Sequence, residues 1–386
     1  MSGKWEAQLE DVLSRDPAAI LARKRAAYEA ISGRPGRDLI LCGSGYLGKS
    51  VLCSLRKTGR EPLAFCDNNP RLWDQQVNGL PVLSPEAAVA RFGSKALFVI
   101  TVYTSGPLLR QIRDMGVTVI SFPEFAWANP ESLLPHAALD LPNIIFEMAK
   151  DVREGLGVWQ EEASLAEYVG QLRWRVSLDP SGLPPSLPPD QIYFPDNLLA
   201  HKTDEVFVDC GAYDGDSIRA FIERRETSFQ EAIGIEADPG NYARLESSFA
   251  SMPDEIRQKL KALNLAVGSD SSMIRFNATG TAGSSVGKGE VEIRCVPLDE
   301  VLEGRVPTYI KMDIEGAERE ALLGARQTIE KYAPILAICL YHRPEDLWRI
   351  PLLIQSIQPS YRMFLRRYSA DCWEQVCYAI PEDRLR

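Results

Sequence analysis

The chain has 386 residues, 45% of them hydrophobic and 25% charged, and a formal net charge of −10. That length leaves room for two domains with cores of their own, and the acidic balance argues against nucleic acid, whose phosphates need a basic field. No apolar run is long enough to span a membrane and the first residues lack a signal-peptide core, so a cytoplasmic protein with its eight scattered cysteines reduced is expected.

Residues 1–36 read as a helical segment, with Leu9, Val12, Leu13 and Ile20 at helical spacing. From Asp38 a β-α-β rhythm begins and defines a Rossmann-like domain over 37–135. D-L-I-L-C-G, P-L-A-F-C-D, A-L-F-V-I-T and V-T-V-I-S-F read as strands, with helical patterns between the first pair and the last pair. Residues 136–190 are expected as a helical and Pro-rich linker, because D-P-S-G-L-P-P-S-L-P-P-D at 179–190 is the clearest break in the chain. A second domain fills 191–386, with strands at 205–210, 232–237, 262–267, 307–313, 334–341, 361–368 and 375–380. The last two are separated by too few residues for a helical crossover, so they should pair antiparallel. Residues 272–298 read as extra β-structure around a Gly/Ser/Thr-rich loop. The expected class is α/β, with two Rossmann-like domains and an antiparallel hairpin closing the second sheet.

In the first domain, L-I-L-C-G-S-G-Y-L-G-K-S places Gly43, Gly45 and Gly48 as G-x-G-x-x-G between a strand and a helix. Asp67 follows at the end of the next strand, where a ribose would sit. This region resembles the small Rossmann-like domains of nucleotide- and nucleotide-sugar-handling proteins. The resemblance implies NAD(P), a nucleotide-linked acceptor such as a nucleotide sugar, or a scaffold without ligand. No Tyr-x-x-x-Lys pair or active-site cysteine stands beside it, which disfavours redox chemistry.

The second domain carries the stronger signal. E-V-F-V-D-C-G-A-Y-D-G-D-S at 205–217 runs a strand into a loop holding Asp209, Gly211, Asp214, Gly215, Asp216 and Ser217, and the next strand ends on Glu236. Glycines allow close backbone approach, and an acid at the second strand end suits a ribose diol. Three carboxylates in the loop would repel a pyrophosphate, but they suit a ligand with a sulfonium and an ammonium, as in S-adenosylmethionine. The plainer readings are a tight turn at Gly211 and Gly215 and an N-cap at Asp216 or Ser217.

Together V-F-V-D-C-G-A-Y-D-G-D-S, G-I-E-A-D-P, L-N-L-A-V-G and Y-I-K-M-D-I-E-G-A-E resemble the FkbM-type S-adenosylmethionine-dependent methyltransferases, over about 190–386. The resemblance implies a class I methyltransferase sheet and O-methylation of a sugar-like or other small hydroxylated acceptor. It further implies that Asp209, Gly211 and Asp216 follow the methionine portion of the donor and that Glu236 takes the ribose hydroxyls. Asn264 and Ala266 would border the adenine, and Asp214, Ser217 and Asp313 complete the expected donor set.

An alcohol acceptor benefits from a general base. His342, just past the fifth strand in C-L-Y-H-R-P, and Asp313, at the end of the fourth, are the candidates. Asp313, Glu315 and Glu318 have a structural alternative, as acids complementing a helix N-terminus. A magnesium site from these oxygens is chemically conceivable, but no dedicated ligand cluster stands out and no metal is expected. The competing functions are an NAD(P)-dependent oxidoreductase and a non-catalytic nucleotide-binding or interaction protein. The expected partner is a small-molecule acceptor, without nucleic acid or membrane, and a homo-oligomer is left open.

Overall fold

The structure, a computed structural model, describes residues 2–33, 37–278, 285–286, 289 and 291–386. Two helices, Ser2–Leu13 and Pro17–Ser32, precede the first sheet. That sheet comprises β1 (Asp38–Cys42), β2 (Ala64–Cys66), β3 (Gln76–Val77), β4 (Leu80–Leu83), β5 (Ala96–Ile100) and β6 (Val119–Ser121), in the order β3-β4-β2-β1-β5-β6. The four expected strands are present and mutually parallel. The β3–β4 hairpin was not expected. It turns at Asn78 and Gly79, both with positive φ, as an Asn-Gly hairpin requires. Its two-residue first strand and the Pro81 in its second hid it from periodicity.

The second sheet contains β7 (Val206–Cys210), β8 (Glu231–Ile235), β9 (Leu260–Leu263), β14 (Tyr309–Met312), β15 (Ile335–Cys339), β16 (Arg362–Arg367) and β17 (Gln375–Ile380). Their order is β16-β17-β15-β14-β7-β8-β9, with β17 antiparallel to both neighbours, as the short β16–β17 connection dictated. Chain order reverses between β7 and β14. A ligand crevice belongs above the carboxyl ends of strands at such a point. The strands β10 (Ala266–Val267), β11 (Ser272–Asn277), β12 (Ser285–Val286) and β13 (Val291–Val296) form a separate small sheet beside this edge. Much of the loop between β11 and β12 lies outside the described residues.

The segment between the domains is a packed layer. The helix Ala149–Leu156 lies against Asp346–Ile357, and Glu162–Ser177 lies against β16. Polar residues of the second helix are buried because they find partners 169 to 200 positions away. Glu167 accepts from Arg367 Nε at 2.7 Å, Gln171 donates to the Asp371 carbonyl at 2.8 Å, and Arg175 donates to the Pro344 carbonyl at 2.6 Å. One apolar cluster runs from Trp5, Val51 and Phe65 through Val152, Tyr168 and Leu172 to Val208, Ile310 and Ile338. The two sheets thus share a core through this layer, which fixes the carboxyl edge of the second sheet relative to the first domain.

Candidate active site

The site begins with sheet register. Asp209 on β7 pairs directly with Lys311 on β14, so their side chains emerge on one face and meet, Nζ to Oδ1, at 2.8 Å. Both are fully enclosed, and Lys311 also donates to the Gly211 carbonyl at 2.9 Å. Burial pushes Asp209 up to about 7 against the pull of Lys311, while Lys311 is held above its ordinary value despite burial by Asp209 and Asp313. The contact distance is that of an ion pair, and we treat the pair as charged near neutrality. Neither Asp209 oxygen has a fully formed hydrogen bond, so the carboxylate keeps acceptor capacity beneath the loop.

Gly211 sits at φ +81°, and a Cβ there would lie 1.9 Å from the Asp313 carbonyl. Only glycine lets the loops after β7 and β14 close on each other. Above them opens a cleft of about 900 Å³, counted to its mouth. Among the expected residues Gly211, Asp216, Ser217, Glu236, Ala266 and Asp313 line it, and Asp209 lies directly below. Glu236 is buried, with one oxygen accepting from the Tyr213 N–H and the other from the Asp238 N–H, each at 2.8 Å. The Asn241 side chain also bonds this carboxylate, and of its four acceptor positions one remains for a hydroxyl in the cleft. The far end is apolar, made by Ile235, Leu265, Ala266 and Val267, with Phe276 contributed by the small sheet.

Two expected donor residues lie elsewhere. Asp214 faces away from the cleft and pairs with Arg219 at 2.8 Å. Asn264 spends its amide on the Glu236 and Ala237 carbonyls, at 2.8 and 3.2 Å, so it fastens the strand end that carries Glu236. Residues that sequence reasoning passed over include Tyr193, Tyr213, Phe276, Lys311 and Tyr341, all on the cleft wall. Lys311 stood inside the K-M-D-I-E-G-A-E block, and its register opposite Asp209 was the signal available.

The D-I-E-G-A-E loop has a single organising group. Glu318 is fully buried, and its Oε1 accepts from His342 Nδ1 and the Ile314 N–H, both at 2.8 Å, with Gly316 N–H at 3.5 Å. The opposite nitrogen, His342 Nε2, faces Asp313 Oδ1 at 3.2 Å. Asp313 also accepts from the Tyr193 hydroxyl at 2.7 Å and the Tyr341 hydroxyl at 3.1 Å. Burial alone would lower the imidazole, but Glu318 and Asp313 outweigh it and hold His342 well above the ordinary histidine range. Burial would likewise raise Asp313, yet His342 and Lys311 keep it well below the usual carboxylate range.

This geometry departs from the sequence expectation for the base. The His342 ring is 4% exposed and lies between two carboxylates that hold its proton affinity well above the ordinary histidine range, which counts against it as the base. Asp313 is too weak a base and is already occupied. Glu315 is different: it lines the cleft at φ +55°, and burial pushes it up to about 7. Donor atoms of Asp313, Glu318 and His342 also gather within 4.8 Å of one another. Of the two ring nitrogens only Nδ1 has a formed hydrogen bond, to Glu318, while Nε2 faces Asp313 at 3.2 Å as a charge contact.

In the first domain, Gly43 and Asp67 border a separate depression with Thr104 and Gln111. Asp67 is committed internally: Oδ2 accepts from Ser44 N–H at 2.9 Å and Ser44 Oγ at 2.6 Å, and Oδ1 from Asn69 N–H at 2.9 Å. Gly48 serves packing, since a Cβ there would lie 2.0 Å from the Gly43 carbonyl. Gly45 has nothing within 4 Å of its own Cβ position. The structure brings the four residues together without favouring NAD(P) or a nucleotide sugar.

Comparison with known proteins adds the family. Residues 209–370 match the Methyltransferase FkbM domain. That match covers less than half of the chain and falls in the part that carries the motifs. The crystal structure of methyltransferase FkbM from Methylobacillus flagellatus KT is similar over 95% of this chain and 100% of that one, at 24% identity and a TM-score of 0.73. That likeness shows a shared fold extending through both sheets. The precorrin-6y C5,15-methyltransferase of Geobacter metallireducens GS-15 overlaps in part, at 8% identity and a TM-score of 0.31, over 48% of this chain and 84% of that one. No curated protein matches the chain significantly. Among the described residues no helix is long and apolar enough to cross a membrane.

Proposed function

We propose that the protein methylates a hydroxyl of a small, sugar-like acceptor, using S-adenosylmethionine held in the cleft above β7, β8 and β14. The observation that carries this reading is the arrangement along one cleft. A close-approach glycine and a buried carboxylate lie at one end, Glu236 with its remaining acceptor capacity in the middle, and an apolar slot at the other. Those surfaces match an ammonium-bearing chain, a ribose diol and an adenine in turn. Asp209, Gly211 and Asp216 would hold the first, Glu236 the second, and Ala266 with Phe276 the third.

The bound donor supplies an electrophilic methyl on a sulfonium. The chain's part is to align the acceptor and remove its proton. Glu315 performs the second task, being the carboxylate on the cleft wall with a pKa near neutrality. Glu318 and His342 hold the loop that presents it, and Asp313 fixes Tyr193 and Tyr341 beside it. A cytoplasmic setting fits this chemistry. Calorimetry with S-adenosylhomocysteine tests the donor site. Binding that Glu236→Ala weakens by about 1–3 kcal/mol supports it, and equal affinity in a folded variant removes it.

A further inference from the structure

Two tyrosines stand on the cleft wall with no part yet in holding the donor. Tyr193 comes from the segment ahead of the second sheet and Tyr341 lies just past β15, and both share the cleft with Gly211, Lys311, Asp313 and Glu315. The Tyr193 hydroxyl donates to Asp313 Oδ2 at 2.7 Å and the Tyr341 hydroxyl to Asp313 Oδ1 at 3.1 Å, so one carboxylate holds both phenols.

Tyr193 is kept in a strained conformation. Its φ is +65°, which a bulky side chain rarely adopts unless its surroundings impose it. Here they do: its N–H donates to the Tyr378 hydroxyl of β17 at 2.9 Å, and its carbonyl accepts from the Tyr309 hydroxyl of β14. Lys311 Nζ lies 5.0 Å from the centroid of its ring. Burial, with the Asp313 carboxylate beside them, pushes both phenols well above the ordinary tyrosine value, so both keep their protons. Each proton is committed to Asp313, and each oxygen can therefore only accept from the cleft. Cys339 Sγ, 3.6 Å from the Tyr193 oxygen, is a weak competitor for that capacity.

Resting on the function proposed above, we propose that the Tyr193 and Tyr341 oxygens receive the methyl group of the sulfonium, so that the cleft distinguishes the charged donor from its neutral product. A methyl on a sulfonium carries positive charge on its hydrogens, and such C–H groups are drawn to electron-rich oxygens. A hydroxyl that donates to a carboxylate becomes a better acceptor in turn, which is what Asp313 supplies to both. The placement agrees: with the methionine portion over Gly211 and the ribose at Glu236, the sulfur falls between them and its methyl faces the wall that carries Glu315. In the transfer, the acceptor oxygen bonds to the methyl carbon as the carbon–sulfur bond breaks. The bonding pair passes to sulfur and the hydroxyl proton to Glu315. Both contacts are then lost with the methyl, and the neutral product is held less tightly.

The test is calorimetry on the full chain with S-adenosylmethionine and S-adenosylhomocysteine, which differ only in the methyl and its charge. Tyr193→Phe and Tyr341→Phe keep the rings and remove the oxygens. Each should weaken S-adenosylmethionine by roughly two- to fivefold, the order of one such contact, and leave S-adenosylhomocysteine unchanged. With the donor labelled at its methyl carbon, the bound methyl proton resonance should lie downfield in the wild type and move upfield in each variant. Equal weakening of both ligands, as a merely structural role would give, overturns the cradle. So does an unchanged or tighter S-adenosylmethionine in either folded variant, and the two substitutions are independent should one of them fail to fold. A wild type that binds neither ligand removes the donor reading itself, so the two failures are distinguishable.

Discussion

Replacing His342 by alanine should unfold the second domain more readily, beyond any effect on turnover. The imidazole lies between Glu318, 2.8 Å from Nδ1 and fully buried, and Asp313, 3.2 Å from Nε2 with a side chain 23% exposed. Removing it leaves a buried carboxylate without its cation. Breaking a buried pair in this way costs about 3–5 kcal/mol, and the partial exposure of Asp313 puts the expected loss at about 3 kcal/mol. For a unit of this size that is a fall in Tm of roughly 6–12 °C. The pH dependence has a defined sign. His342 is held above its ordinary value, so its stabilisation is complete below the unfolded histidine value of about 6.5 and is lost as pH rises through the folded one. Asp313 is held below its ordinary value, so its share is present above about 3.9 and is lost as pH falls through the folded value. The gap between wild type and His342→Ala should therefore be widest between about pH 4 and 6.5 and close on the alkaline side. Urea unfolding across that range measures it. A gap below about 1 kcal/mol, or one flat in pH, would refute the clamped imidazolium.

Further outcomes follow from the same geometry. Glu315→Gln should bind donor normally and lose on the order of 10²–10⁴-fold in turnover. The wild-type rate should rise with pH through about 7, as Glu315 deprotonates, and that limb should be missing from the residual rate of the variant. Rates are read as S-adenosylhomocysteine release with a hydroxylated acceptor that supports turnover, and a limb that persists in Glu315→Gln assigns the proton elsewhere. In the first domain, Gly48→Ala should lower the thermal midpoint because its Cβ meets the Gly43 carbonyl, while Gly45→Ala, with open space around it, should leave the midpoint nearly unchanged. Equal midpoints for the two variants would contradict the packing role given to Gly48.

The parts of this molecule that sequence disclosed are those set by local pattern. Apolar runs such as V-F-V and A-L-F-V-I announce buried parallel strands, and the seven residues separating β16 from β17 leave no length for a crossover. The turn after β7 was legible because its glycines follow directly from the strand end, and Gly211 and Gly215 both take positive φ. What stayed hidden depends on distant pairs. Glu167, Gln171 and Arg175 look like a solvated helix face until Arg367, Asp371 and Pro344 supply their partners. His342 looked like a base because histidine titrates near neutrality. Its proton affinity is set by Glu318, 24 residues earlier, and by a loop conformation that no local spacing reveals. Asp214 and Asn264 share the donor motif's neighbourhood, yet their side chains serve the backbone and Arg219 instead.

The central claim is that the cleft over β7, β8 and β14 holds S-adenosylmethionine through Glu236. Titrating S-adenosylhomocysteine calorimetrically into the wild type and Glu236→Ala tests it most directly. The account predicts one site per chain, weakened by roughly 5- to 150-fold in the variant, the equivalent of about 1–3 kcal/mol. Wild-type affinity weaker than about 1 mM, or an unchanged constant in a folded Glu236→Ala, would contradict it.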